Sequence, residues 1–218
     1  MGKLVYFRNI THLNEKKWRI FMYEKLVSRL ETTPATKYVV REAESLADEI
    51  LELEGLSGKS APIPIVKIAS DFGIKTYKAS NMPNDMAGNI FIGGTTEKDY
   101  GADKVIIVGE DEVLPHQRFI VAHELAHYLM DYIGSDYCKN KENVFTRAYL
   151  KVNHDSMEEI RADRFAAELL MPKKVFLAEY VKAMKQSNYS KEYTVTYLSK
   201  LFNTKESCIQ RRIQEVLE

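Results

Sequence analysis

Few of the features that announce extracellular or membrane chemistry are present. Only two cysteines, Cys138 and Cys208, occur in 218 residues. They are too few for a disulfide framework and too far apart for a metal knuckle, so a reduced, cytoplasmic chain is expected. No apolar run approaches the length of a membrane-spanning helix, Val105–Val108 and Phe119–Ala122 being typical. The start, Met1 to Arg8, has neither a long apolar core nor a small-residue cleavage site, which argues against a signal peptide. Tyr6 stands where a myristoylation site needs Ser or Thr. An excess of one charge is lacking too: 31 Lys and Arg balance 31 Asp and Glu, so no global pull toward nucleic acid or an anionic membrane is expected. Internal repeats and low-complexity tracts are also missing. What remains is an ordinary globular composition, long enough for one domain with small appendages.

Three regions are expected. Residues 1–60 read as a helical N-terminal extension, residues 61–172 as the chemical domain, and residues 173–218 as a C-terminal helical region. In the first, a short strand is expected over residues 3–8 and a helix from Asn14 to Leu30. Trp18, Met22, Leu26 and Leu30 form its inward stripe, with Phe21 and Val27 beside them. Pro34 breaks it. A second helix is expected from Thr36 to Glu54, burying Val39, Ala43, Leu46, Ile50 and Leu53 and turning an acidic face to solvent. The breaker-rich stretch Gly55–Pro64 reads as a linker. A short helix burying Ile65, Ile68, Ala69 and Phe72 follows, closed by Gly73. Strands are expected at 74–78, 88–92 and 104–108, and the short turn-rich links between them favour a small antiparallel sheet.

The chemistry sits in Phe119-Ile120-Val121-Ala122-His123-Glu124-Leu125-Ala126-His127. On a helix, His123 and His127 stack on one face, where both imidazoles reach one metal ion. Glu124 stands where a general base must stand relative to a water at that ion. Random placement of the chain's five His and its Glu residues gives roughly 0.01 expected matches to this pattern. Two histidines do not complete a catalytic site, which needs a third protein ligand. Three candidates lie downstream. His154 sits in a polar loop, where a surface role suits it better. Asp131 lies one turn past His127, where a continued helix would aim it along the axis, away from the metal. Glu159 and Asp163 share a helical face with the small Ala162 and Ala166, which permit close approach to another helix. Glu159 then supplies the third ligand, and Asp163 accepts the N–H of a metal-bound imidazole. The plain alternative is two exposed helix acids balanced by Arg161 and Arg164.

The run Gln117–His127 and the block Glu159–Pro172, with the strands and the helix ending Phe72-Gly73-Ile74 before them, resemble the ImmA/IrrE family of metallopeptidases over residues 62–172. The resemblance implies an α+β fold with a zincin-like core and added helices at both ends. It carries the zinc-ligand roles to His123, His127 and Glu159, and the general base to Glu124. Manganese or iron are alternatives to Zn2+, since ligand type alone does not fix the metal. Family members commonly have Asn where Asp163 stands and Gly where Ala126 stands; both substitutions keep the site's chemistry. Residues 1–60 lie outside the resemblance. The implied partner is a protein substrate, typically a helix-turn-helix repressor of a mobile element or stress response. For the oxyanion, Tyr128, Tyr149, His154 and Arg147 are candidates that sequence does not rank.

From Lys173 onward, the pattern Tyr197 to Lys205 with Ile209 and Ile213 looks like a helix-turn-helix, but nine Lys and Arg against five Asp and Glu make a weak nucleic-acid footprint. A helix pair that closes the core or docks a protein is the better expectation. Two other functions compete with peptide hydrolysis: an anti-repressor that captures its partner without cutting, and a DNA-binding regulator acting through residues 194–217.

Overall fold

The computed structural model describes residues 7–59, 62–139, 144–150 and 155–217. The strand expected at residues 3–8 falls outside them except for Phe7 and Arg8, which are helical, and His154 lies outside altogether.

Helix α1 (Phe7–Glu31) starts earlier than the periodicity suggests, and its inward stripe is rotated. Tyr23, Leu26 and Leu30 are buried, whereas Trp18 and Phe21 stay about half exposed. The apolar residues outnumber what one face can cover, so the packing partner decides which face turns in. A single 3-10 turn, Ala35–Lys37, follows Pro34 before α2 (Val40–Leu53) begins. Val39, expected inside, is exposed, and α2 buries Ala43, Leu46, Ala47, Ile50 and Leu51. Glu54, at the end of the acidic face, is not solvated as expected: it accepts from Tyr23 Oη at 2.7 Å and from Lys67 Nζ at 3.0 Å.

Helix α3 (Ile65–Asp71) buries the expected residues and ends at Gly73, whose φ of +75° places it in the left-handed region that glycine adopts without strain. Then come β1 (Lys75–Ala79), β2 (Met86–Ile92), the short α4 (Thr96–Tyr100) and β3 (Lys104–Gly109). The motif helix α5 spans Leu114–His127, with Pro115 in its first turn. A brief helix α6 (Asp136–Lys139) precedes β4 (Phe145–Leu150). Helices α7 (Met157–Leu170), α8 (Lys173–Gln186), α9 (Lys191–Phe202) and α10 (Glu206–Leu217) complete the chain.

The result is an α+β fold whose sheet order is β1-β3-β2-β4. The sheet is mixed rather than purely antiparallel. Each short link does reverse the chain, but β3 inserts between β1 and β2, so it runs antiparallel to β2 and parallel to β1. Strand β4 pairs antiparallel with β2 and, among the described residues, stands at the opposite end of the order from β1. Helix α5 lies against the sheet so closely that a Cβ at Gly88 on β2 would stand 2.2 Å from Ile120 Cγ2.

The terminal helices share the core. Leu198, Phe202, Ile209 and Val216 belong to the same apolar cluster as the motif helix. Arg212 of α10 is buried among them, ion-paired with Glu168 of α7 and donating to the Met171 carbonyl at 3.1 Å. Among the described residues, no helix is long and apolar enough to cross a membrane.

Candidate metal centre

Helix α5 is buried on nearly every side: Phe119, Ile120, Val121, Ala122, Leu125 and Ala126 are all inside. Its histidines are therefore carried into the interior, at 0% and 1% exposure for His123 and His127. Helix α7 crosses them through Ala162 and Ala166, both fully buried, and the small side chains allow the close approach expected of them. That approach delivers Glu159. Its Oε2 lies 3.0 Å from His123 Nε2 and its Oε1 3.4 Å from His127 Nε2, while the two Nε2 atoms are 3.0 Å apart.

Both imidazoles are oriented from behind by carboxylates, which can only accept. His123 Nδ1 donates to Asp163 Oδ1 at 2.9 Å, and His127 Nδ1 donates to Asp131 Oδ2 at 2.5 Å. With each N–H committed outward, both Nε2 lone pairs aim inward at one another and at Glu159. Such an arrangement calls for a cation between them. Bond lengths of about 2.0–2.1 Å around a tetrahedral ion place its ligand atoms roughly 3.3 Å apart, close to the spacings observed. Among the described residues, His123, His127 and Glu159 are the group that could hold a metal ion.

The electrostatics of the site agree. Burial alone would lower the imidazole pKa of both histidines, but the carboxylates around them hold both above the ordinary value. Burial likewise works against an ionised Glu159, yet its contacts with the two histidines keep it well below the usual carboxylate range. A site that favours positive charge at its centre and negative charge on Glu159 is one prepared for a cation.

Glu124 behaves in the opposite way. It is fully buried, and neither carboxylate oxygen has a hydrogen-bond partner among the described residues. Desolvation is the main cause that pushes its pKa up, to about 8, with the nearby Glu159 adding to it and His123, the Tyr149 backbone and Arg147 opposing. The Tyr149 backbone biases this carboxylate without a bond of proper geometry, since the oxygens remain unpartnered. A buried carboxylate left without donors is costly unless something else visits it.

Residues 69–214 match the family model of the IrrE N-terminal-like domain, a peptidase family. The chain belongs to this family. No curated protein matches it. Among solved structures, it is similar to a Mycobacterium tuberculosis transcriptional regulator, with a TM-score of 0.50 and 18% identity over 91% of this chain and 50% of that one. The present chain thus spans about half the regulator's length, and the likeness concerns the fold alone.

In this IrrE-type domain the carboxylates behind the histidines are themselves capped by arginines. Arg211 of α10 donates to Asp163 Oδ2 at 3.0 Å. Arg161 of α7 pairs with Asp131 Oδ1 and also donates to the carbonyls of Ala35 and Tyr38 at 3.0 and 3.1 Å. Asp131 is not brought into the ligand group, as its place past His127 suggested, but it supports that histidine's ring, a role sequence reasoning missed. The signal was available: Asp131 stands four residues past His127, the same spacing that stacks His127 on His123. A π-turn over Tyr128–Tyr132, in which Ile133 N donates to the Tyr128 carbonyl at 3.0 Å, ends the helix there. Nothing in the local sequence singled out Arg161 or Arg211, because their partners are distant in the chain.

Of the oxyanion candidates, Tyr149 and Arg147 on β4 lie beside the site. The Tyr149 ring meets His123 edge-on at 4.7 Å, and the charge of Arg147 reaches Glu124. Tyr128 does not. It turns away from the histidines toward Phe72 and Lys104, lining a cavity of about 490 Å³ between α1 and the body of the domain.

Proposed function

We propose that this chain is a zinc-dependent endopeptidase that hydrolyses a peptide bond in a protein substrate, with Glu124 as general base. The observation that carries this reading is the fully buried Glu124 carboxylate, without a hydrogen-bond partner among the described residues, beside three convergent ligands. His123, His127 and Glu159 would hold the ion. Zinc, when bound, supplies Lewis acidity to a water and to the scissile carbonyl. Glu124 would take the proton of the attacking water and give it to the leaving amine, a role that its place beside the three ligands suits. Asp163 and Asp131 hold the two imidazoles in the tautomer that faces the reaction.

Strand β4, paired with β2, carries Tyr149 to the site, where its ring meets His123 edge-on. Family resemblance points to a helix-turn-helix repressor in the cytoplasm as the substrate, and the similar solved structure is itself a transcriptional regulator.

The deciding experiment co-expresses the chain with a repressor encoded at the same locus. Cleavage by the wild type, with none by a Glu124→Gln variant that still binds metal, is expected. Capture of an uncut repressor by both proteins would instead establish an anti-repressor.

A further inference from the structure

The geometry points to Arg161 as a positioning residue that couples docking of the Leu30–Tyr38 segment to the grip of His127 on its ion. This rests on the reading of His123, His127 and Glu159 as a metal site.

Arg161 is buried at 4% exposure and has no freedom to spare. One terminal nitrogen serves Asp131, whose other oxygen holds His127 Nδ1. The second terminal nitrogen serves the carbonyls of Ala35 and Tyr38, which bracket the 3-10 turn between α1 and α2. Its Nε finds no partner among the described residues. The guanidinium is thus a rigid bridge with one end on the metal site and the other on the N-terminal segment. Lysine could not replace it, because a single ammonium lacks the fork that reaches both sides.

A second contact binds the same two parts. Gly134, three residues past Asp131, has a φ of +81°. A Cβ there would stand 2.7 Å from the Leu30 carbonyl and 2.8 Å from that of Thr33. The N-terminal segment therefore presses on the turn that carries Asp131 as well as on Arg161. Moving the segment away would leave two donors of a buried guanidinium unsatisfied, which is costly. The side chain would then swing, and Asp131 would lose the partner that fixes it behind His127. Coupling of this kind is reciprocal: if docking tightens metal binding, metal must tighten docking. The helical extension outside the resemblance to known peptidases thereby acquires a role as a handle on the metal.

The test uses the full chain and compares wild type with Arg161→Met. In the wild type, Zn2+ is expected to slow amide exchange at Tyr38 and Ala43, which donate to Ala35 and Val39. In Arg161→Met, that protection is expected to vanish, Zn2+ affinity to fall about 10–100-fold, and the visible absorption of the Co2+-substituted protein to shift. Should Arg161→Met not fold, Gly134→Ala perturbs the same docking with every charged group in place, and the same losses are expected. A folded variant of either kind that binds Zn2+ within about twofold of wild type, with protection undiminished, overturns the proposal. A wild type that binds no divalent ion removes the metal-site reading itself and the coupling with it.

Discussion

Arg211 reaches from the last helix to donate to Asp163, 3.0 Å away, and Asp163 holds His123 on its other oxygen. The same order of groups, arginine, carboxylate, imidazole, recurs at Arg161, Asp131 and His127. Each ring is thus fixed by an anion that is itself neutralised, which lets two carboxylates be buried without a free charge. The two arginines belong to different helices, so the site draws on parts of the chain that a minimal two-helix metal motif would not need.

Asp163 is where this arrangement is easiest to probe. Asp163→Ala leaves His123 Nδ1 without an acceptor, and Zn2+ affinity is expected to fall about 10–100-fold. Asp163→Asn keeps an acceptor oxygen and should retain most of the affinity. Competition titration against a chromophoric chelator separates the two. Equal losses would show that the charge, rather than the hydrogen bond, is what matters.

Glu159 is expected to matter more. Glu159→Ala removes one of three ligands, and the purified, desalted variant should carry no zinc by elemental analysis. A ligand that binds only the folded state stabilises it by about 2.7 kcal/mol at about 100 times its Kd. Zinc should therefore raise the melting temperature of the wild type and leave that of Glu159→Ala unchanged. A similar zinc-induced rise in both would mean that the ion sits elsewhere.

Much of this site was legible because its parts are local. Four-residue spacing stacked His123 on His127, and again Glu159 on Asp163, while Ala162 and Ala166 marked the face of α7 that meets α5. The three strands could be placed, the first by its apolar and polar alternation and the third by its β-branched run. Their order could not, since nothing local states that β3 slides between β1 and β2. Trp18 is exposed for a related reason: periodicity identifies a stripe, but the partner surface chooses which of two neighbouring stripes is covered; Val39 instead stands just outside α2, which starts at Val40, while the rest of its stripe is buried. Arg161 and Arg211 have partners as far away as Ala35 and Asp163, beyond any local pattern.

Gly88 tests how tightly the sheet seats the motif helix. Its missing side chain leaves room for Ile120, and a Cβ would stand 2.2 Å from Ile120 Cγ2 with the Ile107 carbonyl 3.2 Å away. Ile120 is fully buried and cannot swing out. Gly88→Ala is expected to destabilise the fold by about 1–3 kcal/mol, measured by urea unfolding. Combining it with Ile120→Ala should recover part of that loss; strict additivity of the two changes would show that they do not compete for the same space.

Asp48 gives a pH dependence that is independent of the metal. Desolvation, with Glu168 of α7 adding to it, holds its pKa above the ordinary value in the folded chain, against the pull of Lys174. An acid whose folded pKa is raised binds protons more readily in the native state. It therefore contributes stability below its unfolded pKa and loses it as pH rises through the folded one. At pH 7 the ionised Asp48 opposes folding. Asp48→Asn is expected to raise the melting temperature at pH 7, with the gain shrinking as pH falls and gone below about pH 4, where Asp48 is protonated in both states. Helix propensity does not confuse the comparison, because Asn and Asp are close on that scale. Thermal scans of both proteins across this range, run without added metal, decide the matter. A variant less stable than wild type at pH 7 would mean that attraction to Lys174 outweighs the repulsion from Glu168.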